Sequence, residues 1–461
     1  MIADLKPYPA TRDSGLEWLG EVPQHWEVRR GKNIFRCIDV RSEAGEEELL
    51  TVSSERGVVP RRSANVTMFK AESYIGHKLC WPGDLVINSL WAWARGLGVS
   101  RYHGIISSAY GVYRPKETVD AKFIHELVRS TPFHWELRVR SKGVWTSRLQ
   151  LTDTSFLDAP FLLPPLPEQA SIVRFLDHVD RRVWRYVQAQ QKLIELLEEQ
   201  KQAIIHRAVT RGLDTDVPLK PSGVEWLGDI PERWQVVRAK FAFDCVDVRS
   251  STGEEELLTV SSSDGVVPRA GRNITMFKAA SYVGHKLCWP EDLVINSLWA
   301  WANGLGFSDR HGIISSAYGV YRLRKRYAGL WRYLDLALRS RAYQWQFQVR
   351  SKGIWKSRLQ LTDWSFLDMP LVLPPEPGAN AICEFVQKNT DNLSRAISSA
   401  RRDIELVRDY RTRLIADVVT GKLDVREAAA NLPDEADEPE PLDEVDDLID
   451  ESDAIPEEAE L

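Results

Sequence analysis

The stretch HKLCWPGDLVINSLWAWARGLGVSRYHGIISSAYGVYR at residues 77–114 decides the fold, because the chain contains it twice. It returns at residues 285–322, shifted by 208 positions, with five differences in 38. SKGVWTSRLQLTD (141–153) likewise returns as SKGIWKSRLQLTD (351–363). A period near 210 residues is far longer than the ~20–50 residues of a solenoid repeat. The sequence therefore predicts two whole domains, each with its own core.

In the second part of each repeat, residues 168–208 and 378–418, the spacing of apolar residues is kept but the residues themselves are not. Residues 41–114 share 59 of 74 positions with their counterparts, whereas 168–208 share only 7 of 41. Apolar residues there recur at spacings of three, four or seven, which predicts two amphipathic helices of about 40 residues, each about 60 Å long. Prolines precede both segments, and Gly212 and Gly421 follow them. The predicted helix-seam residues are Ile172, Leu176, Val183, Ile194 and Ile204, then Ile382, Val386, Leu393, Ile404 and Leu414.

The remainder of each repeat is predicted to be mixed α/β. LLTVSS, DLVINS and YGVYR have the β-branched and aromatic character of strands, and residues 122–140 are predicted to form one short helix. The predicted order is therefore globular domain, long helix, globular domain, long helix and acidic tail. Two long helices with apolar seams most simply form an antiparallel coiled coil, which would relate the two domains by a pseudo-two-fold axis.

The charge of the chain is unevenly distributed. The 60 Lys and Arg against 66 Asp and Glu give a net charge of −6, but residues 431–461 hold 15 acidic and no basic groups. The other 430 residues carry a net charge of +9, which is compatible with binding an anionic partner such as DNA. No apolar run approaches 18 residues, no secretory signal opens the chain, and the five cysteines form no CxxC pair. We therefore expect a cytoplasmic protein without a membrane span.

Signatures of catalysis are scarce. The chain has no phosphate-binding GxxxxGK[ST] loop, no dinucleotide-binding GxGxxG turn, no HExxH and no GxSxG. His77 and Cys80, repeated as His285 and Cys288, would need two further ligands to hold a metal ion. We expect no catalytic residue and no metal site in this chain.

Basic, amide and aromatic side chains remain as candidates for DNA contact, because they lie in glycine-flanked loops. Arginine and lysine contact phosphates or guanine edges, and asparagine can pair with adenine. Most single tryptophans would belong to a core instead. The candidate residues in the first repeat are Arg62, Trp91, Trp93, Arg95, Arg101, Lys142, Trp145 and Arg148. Those in the second are Trp299, Trp301, Asn303, Lys352, Trp355, Lys356 and Arg358.

Several motifs resemble those of one known family. LPPLPEQASIVRFLD (163–177) resembles the PLPPL-x-EQ-x-x-I entry to the first long helix of the specificity (S) subunits of type I restriction-modification systems. EWLGEVPQHWEVRR and EWLGDIPERWQVVR resemble the entry to their target-recognition domains, and YRTRLIADVVTGKLDV (410–425) resembles the end of their second helix. The likeness extends to about residue 426. The second repeat departs from it at Gly378 and Ala379, where the motif has Glu-Gln.

This resemblance implies a division of the chain into five parts. Residues 1–165 and 214–375 would be target-recognition domains, residues 166–213 and 376–426 would be the spacer helices, and residues 427–461 would be a disordered acidic tail. Each domain would read one half of a bipartite sequence in double-stranded DNA. The helices would set the spacer between the halves and dock the methyltransferase subunits.

The resemblance also implies the partners and cofactors. Two methyltransferase (M) subunits would methylate adenine with S-adenosylmethionine, and two restriction (R) subunits would cleave with ATP and Mg²⁺. This chain itself would be non-catalytic and bind none of these cofactors. Alternative hypotheses are a coiled-coil scaffold without a DNA role, a nuclease or fusion enzyme, and the specificity subunit of a modification-only or phage-defence methylase. Because the reading domains are so alike, we expect a near-palindromic target.

Overall fold

The computed structural model describes residues 5–64, 73–143, 149–262, 264–270, 281–353 and 359–433. The chain forms two compact units, and both long helices run through both of them. Of the described residues, unit 1 contains those up to Gln190 and those of 402–433, and unit 2 contains Gln191–Arg401.

The described residues of unit 1 form twelve short strands. They are β1 (Thr11–Asp13), β2 (Glu21–Pro23), β3 (Glu27–Arg30), β4 (Phe35–Cys37), β5 (Leu50–Ser53), β6 (Gly57–Pro60), β7 (Lys78–Cys80), β8 (Leu85–Asn88), β9 (Leu97–Val99), β10 (Gly104–Ile106), β11 (Tyr110–Pro115) and β12 (Pro160–Leu163). Its helices are α1 (Gly31–Ile34), α2 (Ala121–Arg129), α3 (Thr131–Arg140), α4 (Asp153–Leu157) and the first part of α5 (Leu166–Arg211).

The centre of unit 1 is an antiparallel sheet in the order β4-β11-β8-β9. Strand β8 is covered on both faces, because side chains alternate along a strand and both sets are buried. Leu85 and Ile87 face the main core with α2, α3 and α5, whereas Val86 joins a smaller core with Val58 and Val112. The pairs β1–β2, β3–β12, β5–β6 and β7–β10 complete the domain.

Unit 2 repeats this arrangement. Its strands are β13 (Leu219–Pro221), β14 (Asp229–Pro231), β15 (Gln235–Arg238), β16 (Phe243–Cys245), β17 (Leu258–Ser261), β18 (Gly265–Pro268), β19 (Lys286–Cys288), β20 (Asp292–Ile295), β21 (Leu305–Phe307), β22 (Gly312–Ile314), β23 (Gly319–Leu323) and β24 (Pro370–Leu373). Its helices are α6 (Ala239–Ala242), α7 (Trp331–Leu338), α8 (Arg341–Arg350), α9 (Asp363–Leu367) and the first part of α10 (Glu376–Val419). The sheet order β16-β23-β20-β21 matches that of unit 1. The mixed α/β fold predicted for both repeats is confirmed.

One predicted helix is wrong in its continuity. Residues 122–140 form two helices, α2 and α3, which meet at the extended residue Ser130. A proline inside a helix removes a backbone donor and clashes with the carbonyl four residues earlier, so Pro132 cannot continue α2. Ser130 instead caps α3, with its hydroxyl accepting from the Phe133 N–H at 3.5 Å. The helix pair therefore bends at Ser130.

The two long helices contact each other within each unit. In unit 1, Arg411 of α10 donates two hydrogen bonds to Asp180 of α5, at 2.8 and 3.0 Å, and Arg174 donates to the carbonyl of Leu432 at 3.0 Å. Later positions on one segment thus meet earlier positions on the other, which is antiparallel pairing. In unit 2, Arg401 lies 3.5 Å from Glu198.

The predicted seam residues are all buried or half-buried. In unit 1, Ile172, Leu176 and Leu414 belong to one core, and Val183 packs against it. In unit 2, Ile382 and Val386 are core residues. Ile404 is buried, and Ile194, Ile204 and Leu393 are half-buried.

A buried carboxylate fastens the start of α5 to the N-terminal segment. Glu168 is 6% exposed and accepts hydrogen bonds from the Tyr8 hydroxyl at 2.6 Å and the Trp26 indole at 3.0 Å. His25 Nε2 lies 2.7 Å from its other oxygen. Burial, together with the bond to Glu168, raises the pKa of Tyr8. In the second repeat this position is Gly378, and α10 nevertheless begins at Glu376.

The ordered body extends further toward the C-terminus than the resemblance implied. A short helix, α11 (Arg426–Ala430), follows α10, and Leu432 is only 7% exposed. Asp424 pairs with Lys6 of the N-terminal segment. The first residues of the predicted tail therefore belong to unit 1, and the rest of that tail, from residue 434, lies outside the described residues.

Candidate nucleic-acid interface

The first candidate loop is the turn between β8 and β9. Trp91 is 56% exposed and Trp93 is half-buried, and their rings lie nearly parallel with centroids 6.0 Å apart. The Trp93 indole donates to the carbonyl of Leu90 at 2.8 Å, which fixes the inner ring. The pair therefore offers a flat aromatic surface to solvent on the Trp91 side, of the kind on which a base or a sugar can pack.

Arg95 ends this turn in a strained backbone conformation. Its φ of 61° lies in the left-handed region, which costs a residue with a side chain roughly 1–2 kcal/mol. The next residue must be glycine, because a Cβ on Gly96 would lie 2.8 Å from the Trp91 carbonyl oxygen. Arg95 Nη2 donates to the Thr131 hydroxyl at 3.0 Å, which ties the turn to the start of α3. Strain of this kind is often kept where it serves a function.

The second repeat builds the same turn with one change in charge. Trp299 and Trp301 stack with centroids 5.5 Å apart. Asn303 takes the place of Arg95 with φ 67°, a conformation that asparagine tolerates better than arginine. Its side-chain amide donates to the Ser262 carbonyl at 3.3 Å.

The structure brings the two predicted loops of each repeat together. Lys142 and Gln150 exchange backbone hydrogen bonds of 2.9 Å at the base of the second loop. The next residue, Leu151, donates its N–H to the Ser89 carbonyl at the start of the tryptophan turn, at 2.9 Å. Lys142 is exposed beside this junction.

Unit 2 repeats the junction bond for bond. Lys352 pairs with Gln360, and Leu361 donates to the Ser297 carbonyl at 2.8 Å. Five candidates of these loops lie outside the described residues: Trp145, Arg148, Trp355, Lys356 and Arg358.

Arg62 and Arg101 lie away from the tryptophan turn. Arg62 follows β6, is 83% exposed and lies 3.1 Å from Glu48, a surface pair that contributes little to stability. Arg101 follows β9 and lines a cavity of about 270 Å³ in unit 1. The DNA contact predicted for each of them stays a prediction.

The walls of this cavity come from the domain and from both long helices. Residues 54–59, 95–102 and 122–131 form the domain side, and residues of α5 and α10 within unit 1 form the helix side. Seven arginine and lysine side chains line it against three carboxylates.

Burial shapes the charges inside the cavity. It lowers the pKa of His125, and the neighbouring Arg129 adds to that shift. His125 Nδ1 accepts from the Val99 N–H at 3.2 Å, consistent with a neutral ring. Burial also raises the pKa of Glu126 and lowers that of Lys122, whose ammonium group pairs with Asp177 of α5. The surplus of positive charge therefore resides mainly on the arginines.

Two exposed positions escaped the sequence analysis. Trp135 and Val139 on α3 are 53% and 78% exposed, and Trp345 and Val349 on α8 are each 60% exposed. The sequence did contain a signal for these two positions, namely their identity in both repeats. Only three of ten positions agree between α3 and α8, and two of the three are these solvent-facing tryptophans and valines.

These features define a class of protein: two like α/β domains, each with an aromatic and cationic loop pair, built onto two long helices. Within the described ranges, no group of three or more His, Cys, Asp or Glu side chains could hold a metal ion. Of the helices in that part of the chain, none is long and apolar enough to cross a membrane.

Comparison with known proteins gives the same class. The chain is 24% identical over 238 residues to a protein of Methanocaldococcus jannaschii, provisionally named the type I restriction enzyme MjaX specificity subunit. The match covers 48% of this chain and 53% of the relative, so the chain spans about half the length of the curated relative it matches. No family model matches the chain.

Solved structures extend the likeness to the whole fold. A chain from a structural study of complex assembly and conformational transition of the type I R-M system aligns with a TM-score of 0.58 at 15% identity, covering 87% of this chain and 99% of that one. The HsdS subunit from Thermoanaerobacter tengcongensis aligns with a TM-score of 0.41 at 16% identity, covering 87% and 98%. The resemblance to type I specificity subunits inferred from the motifs is confirmed by the curated relative, and the alignment with a TM-score of 0.58 shows a shared fold.

Proposed function

We propose that this chain is the sequence-specific DNA-recognition subunit of a type I restriction-modification complex. Each unit reads one half of a bipartite duplex target, and the two long helices set the spacer and dock the M subunits. The observation that carries the proposal is the pair of loops, joined by the Ser89–Leu151 bond in unit 1 and by Ser297–Leu361 in unit 2. Two equivalent sites on two like domains suit a target with two halves.

The chemistry of the loops favours DNA reading over a purely structural scaffold. The exposed Trp91 and the half-buried Trp299 offer stacking surfaces, and the exposed Lys142 and Lys352 offer phosphate contact. The chain is proposed to be non-catalytic, with S-adenosylmethionine, ATP and Mg²⁺ bound by partner subunits. We propose two M subunits and, in a restricting system, two R subunits. A modification-only system would use the same chain.

The proposal is tested by expressing the chain with its M partner and mapping methylated adenines by long-read sequencing. We expect one bipartite motif whose halves are alike on opposite strands, because the reading domains share 59 of 74 positions. Absence of any sequence-specific methylation would refute the function. Two unrelated half-sites would refute only the near-palindrome.

Replacing Lys142 by alanine is expected to weaken DNA binding at all sequences. A phosphate contact contributes about one unit to the slope of log affinity against log salt, so this slope should fall by about one. Lys352→Ala should do the same through the other unit. The control is Lys192→Ala on α5, a 69% exposed lysine outside both loops. Equal salt slopes for Lys142→Ala and the wild type would show that Lys142 does not contact a DNA phosphate.

Truncation after Pro433 is expected to leave the methylated sequence unchanged and to raise non-specific affinity at low salt. The removed segment holds all 15 acidic groups of residues 431–461, and negative charge repels DNA phosphates. The cut falls after Leu432 because that side chain is buried and its carbonyl binds Arg174. Gel shifts with non-target duplex at two salt concentrations measure the effect. A changed target motif would contradict the prediction.

A further inference from the structure

The sequence differences between the two repeats concentrate on the cavity of unit 1. Residues 41–114 differ from their counterparts at 15 of 74 positions, and nine positions of this segment line the cavity. An even spread would place about two differences among those nine. Six are found there instead: Glu55, Arg56, Arg95, Val99, Arg101 and Tyr102.

These differences make the cavity of unit 1 more basic than the equivalent positions of unit 2. Arg56, Arg95 and Arg101 stand where the second repeat has Asp264, Asn303 and Asp309. In unit 2, Asp309 is neutralised by the adjacent Arg310, whose Nε donates to it at 2.8 Å. Unit 1 thus gathers arginines where unit 2 has acidic or neutral residues.

The space itself also differs. Phe307 stands in unit 2 where the cavity of unit 1 has Val99, and its ring lies 6.3 Å from that of Trp331. The larger side chain takes up room that valine leaves open. A cavity of about 270 Å³ lies just below the range of about 300–1,000 Å³ typical of small-molecule sites. It suits a small group rather than a large ligand.

The chemistry of the walls selects an anion that accepts hydrogen bonds. Seven cationic side chains line the cavity against three carboxylates. Because Lys122 pairs with Asp177 and Arg411 pairs with Asp180, the excess positive charge lies on the other arginines. Burial is the main cause that lowers the pKa of Lys122; Asp180 and Glu126 raise it more than Arg101 and Arg411 lower it. The buried indole N–H of Trp184, also in the wall, has no acceptor among the described residues. A negatively charged group with several oxygen acceptors would balance the positive charge and accept a hydrogen bond from the Trp184 indole.

We propose that the cavity of unit 1 binds a phosphate group, through Arg95 and Arg101, and that unit 2 lacks this site. The phosphate belongs either to a DNA backbone or to a small phosphorylated molecule, because the same oxygens would serve in both cases. This site shares Arg95 with the tryptophan turn, but its other walls come from α2, α5 and α10. The two units would then be alike in their reading loops and unlike in this anion site.

The test exchanges two cavity residues for those of the second repeat, in the double variant Arg95→Asn, Arg101→Asp of the full chain. Unit 2 folds with these residues at the equivalent positions, so the variant is expected to fold. The matched control is Arg36→Asp, which reverses an exposed arginine on β4 outside the cavity. Thermal unfolding of all three proteins checks that the fold is retained.

Two measurements separate the sources of the phosphate. Calorimetric titration with inorganic phosphate and with AMP should give one site per chain in the wild type and in Arg36→Asp, weakened about tenfold or more in the double variant. The salt slope of binding to a non-target duplex should fall by about one unit in the double variant if the phosphate is that of DNA. An unchanged slope with lost phosphate binding identifies a small molecule.

Neither measurement uses a target sequence, so the outcome is independent of the proposed recognition function. Equal phosphate binding by wild type and double variant, together with equal salt slopes, would overturn the proposal. So would a wild type that binds neither phosphate nor AMP and whose salt slope the exchange leaves unchanged.

Discussion

A two-residue insertion in each long helix, after Gln190 and after Arg401, is expected to abolish sequence-specific methylation. These are the points where both helices pass from one unit to the other. Two residues rotate everything beyond the insertion by about 200°, since an α-helix turns once in 3.6 residues. The reading loops of one unit would then be turned by that angle relative to their position without the insertion.

Four inserted residues at the same two points should instead preserve activity with a longer spacer. They add about 6 Å and rotate the unit by only about 40° beyond a full turn. At about 3.4 Å per base pair, the spacer should grow by one or two base pairs while both half-sites stay the same. Methylation mapping reads both variants. An active four-residue variant with an unchanged spacer would mean that the M subunits set the distance. An active two-residue variant would refute the proposal that the long helices set the spacer.

Glu168→Ala is expected to destabilise unit 1 by about 3 kcal/mol. The substitution leaves the buried Tyr8 hydroxyl and Trp26 indole without their acceptor, and an unsatisfied buried donor costs about 1–3 kcal/mol. The loss should appear as a lower urea midpoint for the transition that follows unit 1.

Glu198→Ala is the control for Glu168→Ala. Glu198 is 38% exposed and lies 3.5 Å from an exposed arginine, so its removal should change stability by no more than about 0.5 kcal/mol. Equal unfolding midpoints for Glu168→Ala and Glu198→Ala would show that the buried carboxylate does not hold the N-terminal segment to α5. The Gly378 of the second repeat already shows that a long helix can begin without it.

The sequence predicted the large elements well because their signals are long and redundant. Thirty or more residues at a helical period define α5 and α10, and near-identical repeats give the two domains the same sheet order. The break at Ser130 was missed because a helical pattern continues through it. Pro132 prevents a continuous helix in unit 1, but it is not the only cause, because the second repeat also breaks at Ser340 with Ala342 in the matching position.

Only part of the candidate site could be predicted from the sequence. The repeated loops drew attention to Trp91 and Lys142, but the hydrogen bond between Ser89 and Leu151 that joins them links residues 62 positions apart. No local pattern reports such a contact. The cavity illustrates the same limit, since its walls come from the domain, α5 and α10, and only their packing brings Arg101 near Arg411.

The discontinuous make-up of unit 1 imposes an order on synthesis. Within the described residues, unit 2 is the single stretch Gln191–Arg401, and every residue of its core has been translated before α10 ends. Unit 1 instead packs Leu176 against Leu414 and Val418, residues made more than 230 positions later. On the ribosome, the domain that starts first therefore finishes last, with its apolar helix face uncovered in the meantime. Exposed surface of that kind is where chaperones bind and aggregation begins.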